Sequence, residues 1–250
     1  MGRSSVSLCV VIVVGFIACL NAQKLADEQD RREALDFFRA GQKLLLTEQF
    51  DRAVEAFSKA IAKDGLLTVA HYGLGQAHMN LMRFGDAAKA YEGCIEATRA
   101  LYALQQTQQF EVEKRRDAEI REMRETILVL QQIGHPLQVT QAEQHLHDLQ
   151  SQRSSMGGPF RPPAEVLLAL GSAHFKDGSP DTAELEWKAA IEANPKLGEA
   201  HNNLAVIYMQ TDRLDQAQEE LKLAEKSGFR VNPQFKADLK KRQVDTRKSR

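Results

Sequence analysis

The sequence predicts an all-α fold, an α-solenoid of stacked helical hairpins that is interrupted by one longer helical hairpin. Residue sizes repeat with a period of 34 in two stretches, 34–101 and 164–231. Within each period, apolar residues recur every three or four positions in two blocks separated by a short polar break, the pattern of two antiparallel helices. Because one such unit cannot bury its apolar face alone, neighbouring units stack.

The repeat is a series of small, small, large and small side chains. The matching positions are Gly41, Ala53, Phe57 and Ala60; Gly75, Ala87, Tyr91 and Cys94; Gly171, Ala183, Trp187 and Ala190; and Ala205, Ala217, Leu221 and Ala224. Helices whose axes lie about 8–10 Å apart need glycine or alanine where they cross. We therefore expect Gly41 to face Ala53, and Gly171 to face Ala183.

Residues 1–22 have the form of a secretory signal peptide. Arg3 precedes an apolar run at 8–20, and a small residue, Ala22, ends the segment. The run is shorter than the roughly 20 residues of a membrane-spanning helix. The protein is therefore expected to be exported, to the periplasm or outside the cell.

Two alternatives keep the protein at a membrane. The signal could stay uncleaved as an anchor, or Cys19 could carry a lipid, since residues 16–19 resemble a bacterial lipobox without its usual leucine. Cleavage after Ala22 would leave Cys94 as the sole cysteine, so no intramolecular disulfide is expected. We interpret Cys94 as a buried small residue; a reactive thiol is the alternative.

The small and large positions resemble those of the tetratricopeptide repeat family. The third unit matches most fully, through Leu170, Gly171, Trp187, Ala190 and Pro195, and residues 200–204 look like a typical first helix. The resemblance covers 34–101 as repeats 1 and 2 and 164–231 as repeats 3 and 4. The departures are Gly65, Arg99 and Phe229 in place of the terminal proline and Leu221 in place of the large aromatic residue.

Residues 102–153, between the two pairs of repeats, are predicted to form a long helical hairpin. The stretch 86–133 lacks proline and has one glycine, which allows a single helix of about 70 Å. Residues 111–121 are charged nearly all round and are expected to project into solvent. An apolar stripe and a returning helix complete a protruding antiparallel hairpin. The stripe is Ile120, Met123, Ile127 and Leu130, and the returning face is Ala142, Leu146 and Leu149.

The remaining segments are a lead-in, a linker and a cap. Residues 23–33 lead into the first repeat, and 154–163 form a Gly/Pro linker that could let the two halves move. In 232–250 a capping helix carrying Phe235 and Leu239 precedes a basic tail, interpreted as a solvated end, with an anionic contact as the alternative.

Composition and motifs exclude several functions. Lysine plus arginine (33) balance aspartate plus glutamate (34), whereas nucleic-acid binders concentrate positive charge. The sequence contains no phosphate-binding loop, nucleophile elbow or paired-cysteine motif. His145 and His147 point apart on a helix, whereas His71 shares a repeat position with His201 and His78 with His174, which favours packing over metal ligation. We expect no enzyme activity, cofactor, metal or small-molecule substrate.

The resemblance implies a concave groove lined by the first helices of successive repeats. Its residues would be Phe38, Gln42, Leu45, Tyr72, Gln76, Met79, Leu168, Ser172, Phe175, Asn202, Asn203, Val206 and Met209. This mostly uncharged set suits a neutral or apolar peptide segment, or a partner helix. It suits an acidic tail poorly, because Phe38 and Leu168 stand where family members that bind carboxylates have a lysine. The alternative is that the linker or the helical arm covers these side chains.

The predicted function is a non-catalytic protein–protein interaction scaffold that acts outside the cytoplasm on a protein or peptide partner. One alternative is a self-assembling structural protein that forms a homodimer through the helical hairpin. The other is a lipoprotein assembly factor tethered to the membrane.

Overall fold

The computed structural model describes residues 25–105, 108–134, 136–151 and 160–248, and its regular structure there is entirely helical. The predicted all-α fold class is therefore confirmed. The predicted signal peptide, with Cys19, and most of the predicted linker lie outside the described residues. The eleven described helices are α1 Glu28–Leu46, α2 Phe50–Lys63, α3 Thr68–Asn80, α4 Phe84–Gln105, α5 Gln109–Ile133, α6 Pro136–Ser151, α7 Ala164–Lys176, α8 Pro180–Ala193, α9 Gly198–Gln210, α10 Leu214–Lys226 and α11 Pro233–Lys248.

Four helical hairpins stack in one continuous series. Helices α1 and α2, α3 and α4, α7 and α8, and α9 and α10 pair as hairpins, and α2 packs on α3 as α8 packs on α9. Helix α7 packs on α4 in the same way. The insertion therefore leaves the stack unbroken, and one apolar cluster extends from Tyr72 in α3 to Leu239 in α11.

The small residues of the repeat accommodate aromatic rings. A Cβ atom added to Gly41 would lie 2.7 Å from Phe57 Cε1, and one added to Gly171 would lie 2.6 Å from Trp187 Cδ1. The nearest atoms to both glycines belong to the rings one helical turn beyond Ala53 and Ala183 in the second helix, and the facing of the glycines with these alanines stays a prediction. The glycine makes room for the large residue of its own hairpin.

The turn inside each repeat uses one left-handed residue at the same repeat position. Glu48, Met82 and Asp212 have φ values of 58°, 55° and 60°, and Gly178 has 86°. The turn geometry therefore belongs to the repeat, and only the third unit supplies the residue type that adopts it without steric cost.

Two predicted packing residues have matching contacts. His71 Nε2 lies 3.0 Å from the carbonyl oxygen of Gly65, and His201 Nε2 lies 3.2 Å from that of Pro195. Each histidine thus makes a polar contact with the loop that precedes its own helix. Cys94 is fully buried, and this burial raises the pKa of its thiol.

The sequence allows a single helix over 86–133, but the structure divides this stretch between α4 and α5. Helix α4 ends at Gln105 and α5 begins at Gln109, and Gln108 has φ −135° and ψ 42°, outside the helical region. Neither proline nor glycine accounts for this departure at Gln108, and α5 is held against the first repeats by the contacts described below. The capping helix α11 forms as expected and continues through Lys248.

Candidate functional site

The helical hairpin α5–α6 lies in the groove of the first two repeats. Ile120 and Ile127 of α5 share one apolar cluster with Phe38 of α1 and Val69 of α3. The prediction of a protruding hairpin is therefore wrong. Its physical reason is the apolar stripe of α5, which packs on the solenoid as well as on α6.

Charged side chains of α5 face polar partners in the groove. Arg115 Nη1 lies 2.8 Å from Asp64 Oδ2, with only 5% and 3% of these side chains exposed. Arg39 Nε of α1 donates to Glu122 Oε2 at 2.8 Å. The segment 111–121, predicted to project into solvent, is thus partly buried, and its buried Arg115 is paired with Asp64.

Glu119 lies in the centre of this interface. It is fully buried, and the Thr68 hydroxyl donates a hydrogen bond to its carboxylate. Burial raises its pKa to about 7, and the Thr68 hydrogen bond opposes that rise. The α5 interface therefore contains a carboxyl group that changes charge near neutral pH.

Helix α6 covers the next part of the groove. His145 is 2% exposed and stacks on Tyr72 of α3, with ring centroids 4.5 Å apart and an interplanar angle of 14°. Burial lowers the pKa of His145 to about 4, so the ring is neutral at pH 7. Neither of its ring nitrogens has a hydrogen-bond partner among the described residues.

The end of α6 meets the start of α7. Asp148 Oδ2 accepts a hydrogen bond from the backbone N–H of Glu165 at 3.1 Å, which satisfies a free donor of the first turn. Burial raises the pKa of Glu165 to about 8, with added repulsion from Asp148 and Glu199. Three carboxyl groups therefore converge where α6, α7 and α9 meet.

A cavity of about 760 Å³ lies between the hairpin and the concave surface. Helices α1, α3, α7 and α9 form one side, and α5 and α6 form the other. Six amide side chains line it, and its charged lining residues are Glu48, Lys176 and Glu199. The amides are Gln42, Gln76, Asn80, Gln138, Gln141 and Asn203.

Nine of the thirteen predicted groove residues line this cavity. They are Gln42, Leu45, Tyr72, Gln76, Met79, Ser172, Phe175, Asn203 and Val206. Phe38 is buried in the α5 interface, and Leu168 is buried, with its carbonyl accepting from Trp187 Nε1 at 3.1 Å. Asn202 and Met209 lie outside the cavity lining.

Repeat positions could not identify the residues of the opposite wall. This wall comprises Met123, Thr126 and Leu130 of α5 and Leu137, Gln138, Gln141, Ala142 and His145 of α6. Ile120, Met123, Ile127 and Leu130 of α5 form only a narrow seam that one partner helix can cover, so the apolar stripe did not indicate contact with the solenoid.

Metal-binding clusters and membrane-spanning helices are both absent from the described residues. Among them, no group of three or more His, Cys, Asp or Glu side chains is placed to hold a metal. Within the same ranges, none of the helices has the length and apolar content needed to cross a membrane.

Several solved structures resemble this chain at low sequence identity. Solved structures with similar folds include YrrB, described as a TPR protein with an unusual peptide-binding site (18% identity, 86% of this chain and 95% of that chain, TM-score 0.31). A thermophilic TPR protein of Thermus thermophilus shares 17% identity over 84% and 99% of the chains (TM-score 0.35), and PilF of Pseudomonas aeruginosa shares 14% over 82% and 80% (TM-score 0.34). No curated protein matches the sequence.

The family of this chain is shown by family models, because the TM-scores of these structures are too low to show it. Two models, both described as tetratricopeptide repeat, match residues 32–102 and 174–237. These matches cover just over half of the 250 residues and coincide with the two blocks of stacked hairpins. The chain therefore belongs to the tetratricopeptide repeat family.

Proposed function

We propose that this protein is an exported interaction scaffold that holds an uncharged segment of a partner protein in the cavity beneath the α5–α6 hairpin. The tetratricopeptide fold is that of a protein–protein interaction scaffold, and proteins of this family bind protein or peptide partners. The location of the binding site, the chemistry of the segment and the export are our proposals.

The amide-rich cavity is the observation that carries this proposal. Its volume of about 760 Å³ falls within the range of about 300–1,000 Å³ that is typical of ligand sites. Amide side chains both donate and accept hydrogen bonds, as a peptide backbone does, so Gln76, Gln141 and Asn203 can hold an extended segment without reading its sequence. Leu45, Met79 and Phe175 offer apolar contacts between them.

The hairpin limits what can bind. In the first repeats, α5 already covers Phe38 and its neighbours. A partner helix as wide as α5 would have to displace it, whereas an extended segment fits between α6 and the helices α7 and α9. This favours the predicted peptide segment over the predicted partner helix.

A pair of adjacent asparagines provides the test. Peptides selected from a random phage-displayed library on the purified protein should be poor in acidic residues. The affinity of the best peptide should fall about tenfold in Asn203→Ala, the effect of one buried hydrogen bond of ~1.4 kcal/mol. Asn202→Ala is the matched control, because Asn202 lies outside the cavity lining, and it should bind like the parent. Equal losses in both variants, or a selection dominated by acidic peptides, would refute the proposed site.

The proposed export depends on residues 1–22. Mass spectrometry of the protein recovered from its producing cells should find a mature chain that begins at Gln23. A chain that begins with a lipid-modified Cys19 would replace this proposal with the membrane-tethered alternative. A chain that keeps residues 1–22 would show that they are not removed.

We expect this scaffold to be non-catalytic. Cys94, His201 and Arg115 are each engaged in a hydrogen bond or an ion pair.

A further inference from the structure

The junction between α4 and α5 favours a straight helix by its sequence. Six of the residues 103–110 are alanine, leucine or glutamine, which are good helix formers; Thr107 and Phe110 are weaker ones, and none is proline or glycine. The Gln108 N–H donates to the Leu104 carbonyl at 2.8 Å, and the Gln108 carbonyl accepts from the Val112 N–H at 3.1 Å. Both are the i to i−4 bonds of an α-helix. Gln108 itself departs from helical geometry, so the chain bends at a point where local preference opposes the bend.

The contacts of the hairpin impose this bend. Arg115 pairs with Asp64, Glu122 pairs with Arg39, and the Thr126 hydroxyl donates to Gln42. Ile120, Met123 and Ile127 are buried in the same interface. A straightened monomer would expose these groups to water, so straightening requires another groove that accepts them.

We infer that two copies of this protein exchange their α5–α6 hairpins. In the exchanged dimer, α4 and α5 join at Gln108 into one helix, and the hairpin of each copy fills the groove of the other. A second copy offers an identical groove, so each contact named above is remade between chains, with twofold symmetry. The proposal goes beyond peptide binding and does not depend on it.

The exchange also requires the second connection to the hairpin to reach from one copy to the other. About twelve residues, 152–163, join α6 to α7, and such a chain can span at most about 40 Å. Gly157 and Gly158 within it impose few conformational limits of their own.

Two substitutions at Gln108 test the hinge. Gln108→Ala favours the straight helix and Gln108→Gly favours the bend, and their helix propensities differ by about fivefold per site. With two hinges in each dimer, the dimerisation constants of the two variants should differ by about 25-fold. Size-exclusion chromatography with light scattering over a range of concentrations measures them. Equal constants, or monomers at all concentrations in both variants, would overturn the inference.

Cross-linking distinguishes exchange from other dimers. One population carries Gln42→Cys and a second, of different mass, carries Thr126→Cys, both with Cys9, Cys19 and Cys94 replaced by alanine or serine. After mixing at high concentration, the exchanged dimer should give a disulfide-linked product with one chain of each mass. A dimer that yields no such product would place the contact elsewhere, for example at the hairpin tip, and would overturn the exchange.

Discussion

Arg115 and Asp64 form a buried ion pair that fastens the inserted hairpin to the solenoid. Both Asp64 carboxylate oxygens lie within 3.0 Å of Arg115 Nη1, and Arg115 Nη2 also donates to the Ala26 carbonyl. Asp64 in turn accepts a hydrogen bond from the Leu66 N–H. One contact therefore joins α5, the loop after α2 and the segment before α1.

Removal of the cation from this pair should be costly. Arg115→Met leaves Asp64 buried without its partner, and we expect the free energy of unfolding to fall by about 3–5 kcal/mol. Denaturant unfolding followed by circular dichroism measures this loss. Arg83→Met is the control: Arg83 pairs with Asp51 at the surface, and its loss should cost less than about 1 kcal/mol. Similar losses in both variants would contradict the burial of Arg115.

The repeat glycines should tolerate no side chain. A Cβ atom at Gly75 would lie 2.5 Å from Tyr91 Cε1, so Gly75→Ala should destabilise the protein by about 1–3 kcal/mol through overpacking. At Gly85, in the first turn of α4, the nearest atoms belong to Asp177, 3.8 Å away, so Gly85→Ala should leave stability unchanged or raise it by up to about 1 kcal/mol, since alanine is the better helix former. Thermal unfolding separates the two outcomes, and a neutral Gly75→Ala would mean that the ring of Tyr91 does not lie over this glycine.

Replacement of the left-handed turn residue of the second repeat, Met82, should stabilise the fold. Met82 is left-handed, and its side chain is 76% exposed, so it contributes little packing to offset the steric cost of its φ value. Met82→Gly should stabilise the fold by about 0.5–1 kcal/mol, after allowance for the greater freedom of glycine in the unfolded chain. Gly178→Ala, at the same position of the third repeat, should change stability in the opposite direction. A loss of stability in Met82→Gly would contradict the shared turn geometry.

Glu165 should lower the free energy of unfolding at alkaline pH. Its pKa rises from 4.5 to about 8 on folding, so the folded state holds a proton that the unfolded state releases, and stability falls as pH rises from about 4.5 to 8. Glu165→Gln removes this loss, so the variant should exceed the parent by on the order of a few kcal/mol at pH 9 and match it at pH 4. The lowered pKa of His145 affects stability only below about pH 6.5, and this effect is the same in the parent and in the Glu165→Gln variant.

Denaturant titrations at both pH values test this prediction. Glu143→Gln, at an exposed position of α6, is the control and should follow the parent at both pH values. A Glu165→Gln variant that is no more stable than the parent at pH 9 would show that Glu165 is ionised in the fold without cost.

The repeats were predictable because their signal is local. Gly41 with Phe57 and Gly171 with Trp187 recur at fixed spacing inside single hairpins. The left-handed turn position gave no signal, because Met82 is an unusual residue there and carries no packing pattern.

The position of the hairpin was not predictable from periodicity. Arg115, Glu119 and Glu122 are typical of a solvated helix face, and here they meet Asp64, Thr68 and Arg39. Such pairing depends on complementarity between distant segments. For the same reason the concave wall of the candidate site could be identified by repeat position, whereas the wall formed by α6 could not.

The return of α5 into the groove is tested most directly by a cross-link between α1 and α5. In a chain without its native cysteines, Arg39→Cys with Glu122→Cys should react almost completely with a short bismaleimide, because these side chains pair in the fold. Arg39→Cys with Arg124→Cys should react poorly, since Arg124 is exposed on the far side of α5. Equal yields for the two pairs, or no product for residues 39 and 122, would mean that the hairpin does not fill the groove.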